Sequence, residues 1–244
     1  MEINKKYHSN SRKLILSTVL LSLIVILPIV ALILSTVNID TSNFIYLWNN
    51  LLFDYSFDTI YLVSITSFFS LLFGVLPAWY ISTNNFKGKN IYDILLYLPL
   101  AIPVYIMAFT YSDILSYTGP MQSFARDYFP DLAGFLNQDY LQIEVLGVIM
   151  ALALYPYIYT ACRLSFSLVG ANYIDLSRSL GMSRTKTFYK IVIPLSRVSI
   201  FSGLFLVIME VLNEYGAVKY FGVNTFTSGI FRSWYSMQDV ETAS

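Results

Sequence analysis

Five apolar stretches, at Leu14–Val37, Thr59–Ser82, Ile91–Leu115, Ile143–Cys162 and Val198–Val218, limit the folds open to this chain more than any other feature. Each is about as long as the 20 residues an α-helix needs to cross a bilayer's hydrocarbon core. Inside that core every backbone polar group must be satisfied within the segment, so such stretches read as helices. The composition agrees: charged residues are 12% of the chain, against about 25% in a soluble domain. The expected fold is all-α, a polytopic transmembrane helical bundle with five spans in these 244 residues. The first stretch is too long for the apolar core of a signal peptide and lacks an obvious small-residue cleavage site, so it reads as a retained helix.

Basic residues orient the bundle. With the N-terminus inside, the inner segments hold Lys5, Lys6, Arg12, Lys13, Lys87, Lys89, Arg163, Arg178, Arg184, Lys186, Lys190 and Arg197. The outer segments hold Arg126, Lys219 and Arg232, and are otherwise acidic, with Asp40, Asp54, Asp58, Asp127, Asp131, Asp139, Asp239 and Glu241. Twelve basic residues against three place the N-terminus in the cytoplasm. Residues 1–13 form a cytoplasmic tail and residues 14–244 a single transmembrane domain. The first outer loop, Asn38–Asp58, is amphipathic and suits a short interfacial helix. In the second, Ser116–Leu141, Thr118–Pro120 marks a turn and residues 121–129 suit a short helix.

Several chemistries are excluded. Cys162 is the single cysteine, so there is no internal disulfide, and His8, the single histidine, lies in the polar tail and builds no metal cage. A net charge of zero argues against nucleic acid. No G-x-x-x-x-G-K-[ST] motif occurs, so the chain has no such route to ATP. A membrane enzyme would need a catalytic constellation, and no histidine or paired aspartate in a Gly-x-Gly-Asp context offers one. A gradient-driven carrier is a further alternative, but it has no need of the basic insert described next.

Between the fourth and fifth stretches, within residues 163–197, lies "YIDLSRSLGMSRTKTFYKIVIPL", Tyr173–Leu195. Its physical reading is a helix–turn–helix on the cytoplasmic face; on charge alone a solvated basic loop held by anionic lipid is an equal alternative. Ile174–Leu180 forms two helical turns with Asp175 near their start, where a carboxylate suits the helix dipole. Gly181 permits a left-handed turn that ends them. A second helix runs from about Arg184 to Ile193, and Pro194 marks its return to the membrane.

Gly181, nine further residues and Ile191-Val192-Ile193-Pro194, preceded by Asp175-Leu176-Ser177, resemble the signature loop of ABC importer permeases of the binding-protein-dependent type. That loop has an acidic-Ala-Ala triplet, three residues, Gly, nine residues and Ile-x-Leu-Pro. Here Asp replaces Glu, Leu176 and Ser177 replace the two Ala, and Ile193 replaces Leu. The resemblance implies that residues 163–197 are a coupling loop, with Asp175, Leu176, Ser177, Gly181, Ile191 and Pro194 docking on a separate ATPase subunit present in two copies. ATP belongs to that partner, and the chain binds no cofactor of its own. From about Trp79 to Asp239, and most specifically in Tyr220–Ile230, the chain is similar to ferric iron permeases with two fused membrane halves. Polyamine and thiamine permeases share the loop and topology. The resemblance implies a subunit of the inner membrane, a periplasmic binding protein delivering Fe³⁺ as transported substrate, surrounding membrane lipid, and a second permease half on the same or a homologous chain. This sequence then corresponds to an N-terminal half, with a sixth helix and a second half to follow.

Three carboxylates are candidates for the substrate path. Glu210 and Glu214 lie four apart in the fifth stretch and are expected on one helical face. Asp113 sits at the outer end of the third. A carboxylate in a membrane segment is costly and faces a cavity or a partner, and a hard cation prefers oxygen ligands. No metal site is assigned, and Tyr111 and Tyr215 are further oxygen donors. Pro28, Pro77, Pro99, Pro103 and Pro156 are expected to kink helices whose neighbours repair the lost hydrogen bonds, with packing the expected role and a gating hinge at Pro99 and Pro103 the alternative, and Cys162 to pack as a small apolar residue.

Overall fold

The computed structural model describes residues 2–35, 41–130, 134, 137–236 and 243; the side chains of residues 2–12, 35, 41–44, 169–172, 175 and 178 lie outside the described set. Asp40, Asp131, Asp239 and Glu241 therefore lie outside the described residues, as do the side chains of Lys5, Lys6, His8, Arg12, Asp175 and Arg178. The described residues are mostly helical, with no strand among them.

The chain divides into two units, residues 1–52 with 229–244, and residues 53–228. In the first, α1 (Glu2–Ser35) carries a membrane-crossing segment, Lys13–Leu34. The short helix expected in the first outer loop is α2 (Thr41–Asn50). At the other end of this unit a wide π-type turn, Arg232–Ser236, is pinned by the Ser233 hydroxyl donating to the Gly229 carbonyl at 3.1 Å.

The second unit is organised around one helix. α3 (Leu52–Thr83) absorbs the end of the first outer loop, starting seven residues before the expected Thr59. After it come α4 (Lys89–Leu95), a 3₁₀ turn at Leu98–Ala101, α5 (Val104–Leu115) and α6 (Pro120–Tyr128). The last of these is the short helix expected in the second outer loop. The central element is α7 (Ile143–Ser179), 37 residues long. Leu146, Met150, Ile158, Tyr159, Cys162 and Phe166 on it are fully buried, so Cys162 packs as expected.

In a bilayer, lipid tails are as apolar as leucine, so close packing rather than escape from water holds helices together, and small residues let backbones approach. α9 (Arg197–Asn213) meets α7 this way: a Cβ on Gly203 would stand 2.7 Å from the Ile158 Cα. From α3, a Cβ on Gly74 would stand 2.8 Å from the Ile158 Cβ. The Thr66 hydroxyl adds a hydrogen bond to the Gly147 carbonyl at 3.2 Å.

Two expected spans are not single helices. The third breaks at Ile102, where Lys89–Ala101 and the stretch Val104–Tyr128 bend by 97°. Ile102 is extended (φ −106°, ψ 121°) ahead of Pro103, whose ring disfavours the helical conformation in the preceding residue. The fifth, expected over Val198–Val218, breaks after Asn213; just ahead of it, at Ser196, the insert's second helix and α9 bend by 72°. α9 ends at Asn213, and α10 (Gly216–Phe221) follows after two residues. Among the described residues three helices, Lys13–Leu34, Leu52–Thr83 and Ile143–Leu168, are long and apolar enough to cross a membrane, and up to five if each bent pair is one span. Pro28, Pro77 and Pro156 lie inside membrane helices, as expected, whereas Pro99 and Pro103 bracket a break.

Candidate functional site

The insert is a capped turn at the end of α7. Gly181 adopts φ +74°, the left-handed conformation that favours glycine. A Cβ there would meet nothing within 4 Å, so backbone conformation and not space selects the glycine. The Met182 N–H reaches back to the Ser177 carbonyl at 3.0 Å, closing a six-residue helix-ending turn. Ser183 then caps α8 (Arg184–Thr187), its hydroxyl accepting from the Lys186 N–H at 3.4 Å. The helix continues through a π-type turn, Phe188–Val192, to Ile193–Leu195.

Ile174–Leu180 differs from its sequence expectation. It is not a separate helix starting near Asp175; it is the last part of α7, and Asp175 lies four residues before that helix ends at Ser179. The favourable N-terminal dipole expected for Asp175 is therefore absent.

The two arms are held together from inside. The Ser177 and Thr187 hydroxyls are 2.9 Å apart and both are buried. A small side chain is required at 177, and a serine there gives Thr187 a hydrogen-bonding partner. Phe188 is buried against Trp79 (ring centroids 5.1 Å apart) and Phe166 (6.5 Å). Val192 is fully buried and Ile191 half-buried, whereas Pro194 is exposed. Arg184 donates to the Asn84 side chain at 3.1 Å, tying the turn after α3 to the insert.

The outer surface of the insert is of mixed character. Tyr173 and Leu176 near the end of α7 and Leu180, the first residue after it, are exposed at positions three and four apart. Leu180 is 72% exposed. Arg184, Lys186, Tyr189 and Lys190, in the insert's second arm, are exposed too. Apolar knobs and cations on a capped scaffold suit a protein groove with acidic rims.

The candidate path carboxylates are dispersed. Glu210 is exposed on α9 and accepts a hydrogen bond from the Tyr157 hydroxyl of α7 at 3.2 Å. Glu214 does not share its helical face, because α9 has ended and Glu214 is extended (φ −74°, ψ 120°). Its carboxylate instead accepts from the Ala217 N–H at 2.8 Å, capping the N-terminus of α10, where negative charge is favoured. Asp113 is exposed in the last turn of α5. No three Asp, Glu, His or Cys residues among those described are grouped to hold a metal ion.

Sequence reasoning passes over one cluster. Asp93 of α4 accepts from the Tyr159 hydroxyl and pairs with the Arg163 guanidinium at 3.3 Å; both partners are on α7. Arg163 also reaches the Ser82 hydroxyl of α3 at 3.4 Å. The available signal is that Asp93 and Asp113 are the only charged residues in Ile91–Leu115, and a carboxylate in such a run requires a partner.

The sequence can be set beside known proteins. The family model described as "Binding-protein-dependent transport system inner membrane component" matches residues 70–240. The sulfate transport system permease protein CysT of Salmonella typhimurium is 27% identical over 167 residues, 68% of this chain and 57% of that protein. The molybdenum transport system permease protein ModB of Escherichia coli is 28% identical over 163 residues, 66% of this chain and 68% of that protein. The Fe(3+)-transport system permease protein FbpB 2 of Haemophilus influenzae is 24% identical over 177 residues, 72% of this chain and 31% of that protein. The chain thus spans little more than half the length of the sulfate relatives it matches. With the family model covering 171 residues, from 70 to 240, the chain belongs to the binding-protein-dependent transport system inner membrane components.

Proposed function

We propose that the chain is a membrane-spanning permease subunit of an ATP-driven importer. A separate ATPase, in two copies, docks on residues 163–197, and a periplasmic binding protein delivers substrate at the opposite face. The observation that carries this reading is the capped surface at the end of α7, where Tyr173, Leu176 and Leu180 stand exposed, as do Arg184, Lys186 and Lys190 in the insert's second arm. A rigid element buried along most of its length and presenting such a surface at one end transmits a partner's movement into the bundle. The permease performs no covalent chemistry, and a second permease half completes the path.

The proposed substrate is ferric iron. Its support is the likeness of Tyr220–Ile230 to ferric permeases, the relative named for Fe(3+) transport, and the exposed carboxylates of Glu210 and Asp113. Dispersed carboxylates suit brief contacts, since a permease that bound its cation tightly would trap it. A second reading, an oxyanion importer, is favoured by the higher identities of the sulfate and molybdenum relatives, 27% and 28% against 24%.

The test is uptake of labelled ferric iron, sulfate, molybdate and putrescine by cells with and without the protein, before and after ATP depletion. Loss of ATP-dependent iron uptake alone supports the full reading. Loss of sulfate, molybdate or putrescine uptake keeps the docking reading and replaces the substrate. Unchanged uptake of all four removes both. If iron is carried, Glu210→Gln lowers its uptake severalfold at normal protein level with the ATPase still bound; unchanged uptake takes Glu210 off the path.

A further inference from the structure

We infer that Asp93, Tyr159 and Arg163 form a latch through which movement of the docking surface is passed to the first limb of the broken span. This rests on the permease reading above. Arg163 and Tyr159 are four residues apart on α7, hence on one face. Both hold the same carboxylate: Tyr159 donates to one oxygen of Asp93, and Arg163 pairs with the other at 3.3 Å. The Tyr97 ring, beyond Asp93 on the same limb, packs edge-on against Tyr159 with centroids 5.1 Å apart. Arg163 also contacts Ser82 near the end of α3, so three helices converge on one guanidinium.

The position gives the cluster its role. From Arg163, α7 continues to Ser179 without a break, then into the Gly181 turn. At about 1.5 Å per residue, roughly 24 Å of helix joins the latch to the docking surface. On the other side, Asp93 belongs to the limb that ends in the 97° bend at Ile102 and Pro103. Rotation of the end of α7 is transmitted to Asp93, and the limb pivots where Pro99 and Pro103 have already interrupted it.

The side chains are suited to a joint rather than a permanent clamp. They are partly exposed, 21% for Arg163 and 25% for Asp93. The ion pair is a single contact rather than a bidentate fork, and the Arg163 Nε lacks a hydrogen-bond partner. A partly exposed, single-contact pair holds less tightly than a bidentate pair, and the unpartnered Nε allows a second arrangement. Asp93, Tyr159 and Arg163 are positioning residues; none of them needs to touch substrate.

The test uses the protein reconstituted in proteoliposomes with its ATPase and binding protein, reading bound ATPase, ATP hydrolysed and substrate carried. Asp93→Asn and Arg163→Gln are each expected to lower substrate carried per ATP about fivefold or more, the lower end of typical coupling strengths, with ATPase binding unchanged. The double variant is expected to be no worse than either single one. Arg163→Lys keeps the charge and is expected to recover part of the loss. Tyr159→Phe keeps the ring against Tyr97 and is expected to give an intermediate loss. Variants that assemble and carry substrate at the unmodified ratio overturn the latch. So does a loss that appears only as reduced assembly and is equal for Lys and Gln at position 163. Absence of ATP-driven transport by the unmodified protein is a separate outcome, which removes the permease reading itself.

Discussion

Helix α7 runs unbroken for 37 residues with Pro156 inside it, whereas Lys89–Ala101 and Val104–Tyr128 meet at 97° across Ile102 and Pro103. Both are apolar runs carrying proline, and hydropathy makes them equivalent. Their surroundings separate them. Pro156 is buried, and two residues on Ile158 lies in close approach to Gly74 of α3 and Gly203 of α9. With neighbours that close on two sides the helix has one path, and one missing N–H donor does not divert it. In the broken stretch two prolines four apart remove two donors and restrict Leu98 and Ile102, and Leu98, Leu100 and Ile102 are all exposed. Proline count predicts a break less well than the packing around each proline.

The largest expected effect breaks the rigid side of this comparison. Gly203→Leu drives a side chain into the Ile158 backbone, and overpacking of this kind costs about 3 kcal/mol at the upper end of its usual range. A much lower unfolding temperature in detergent and poor recovery of monodisperse protein are expected. An unchanged unfolding temperature would show that the close approach of α9 to α7 at Gly203 does not support the fold.

Gly181→Val comes next and concerns the free end of the same helix. A left-handed conformation costs a residue with a Cβ about 1–2 kcal/mol, and more when it is β-branched. Open space around Gly181 means that nothing clashes, so the bundle still folds while the turn distorts. The expected outcome is roughly tenfold weaker ATPase binding, read by titrating the ATPase against the purified protein, with little change in unfolding temperature. Equal losses of stability and binding would mean that the turn supports the fold and not the surface alone.

What was legible in the sequence follows the range of the interaction that decides it. The Gly181 turn, the Arg184 helix start, α2 and α6 depend on residues within a few positions of one another, and each appears where the pattern places it. The path of α7 beyond Cys162 was not legible, because the polar insert hides that its first arm continues a membrane helix. The shared face of Glu210 and Glu214 failed for a local reason of another kind: Glu214 is more useful to the backbone as the cap of α10 than as another residue of α9. Asp93 was legible as an anomaly, a charge in an apolar run, but its partners lie 66 and 70 residues away and no local rule supplies them.

The smallest effects sharpen the comparison by setting the two proline sites against each other. In Pro156→Ala the alanine N–H regains the Leu152 carbonyl as a helical partner, about 1 kcal/mol. Against this stands the apolar packing that the buried proline ring supplies and alanine does not, of similar size. The two nearly cancel, so stability and transport are expected to stay within about 1 kcal/mol and twofold of the unmodified protein. In Pro99→Ala with Pro103→Ala the same chemistry has a different result. Two donors return, Leu98 and Ile102 regain access to helical conformations, and exposed neighbours do not hold the bend. The limbs then gain a straighter alternative, and a joint that works by pivoting at a fixed bend loses its reference. Transport is expected to fall about fivefold with no loss of unfolding temperature. Equal behaviour at the two sites would mean that the bend is held by packing after all, and that the prolines record the break without causing it.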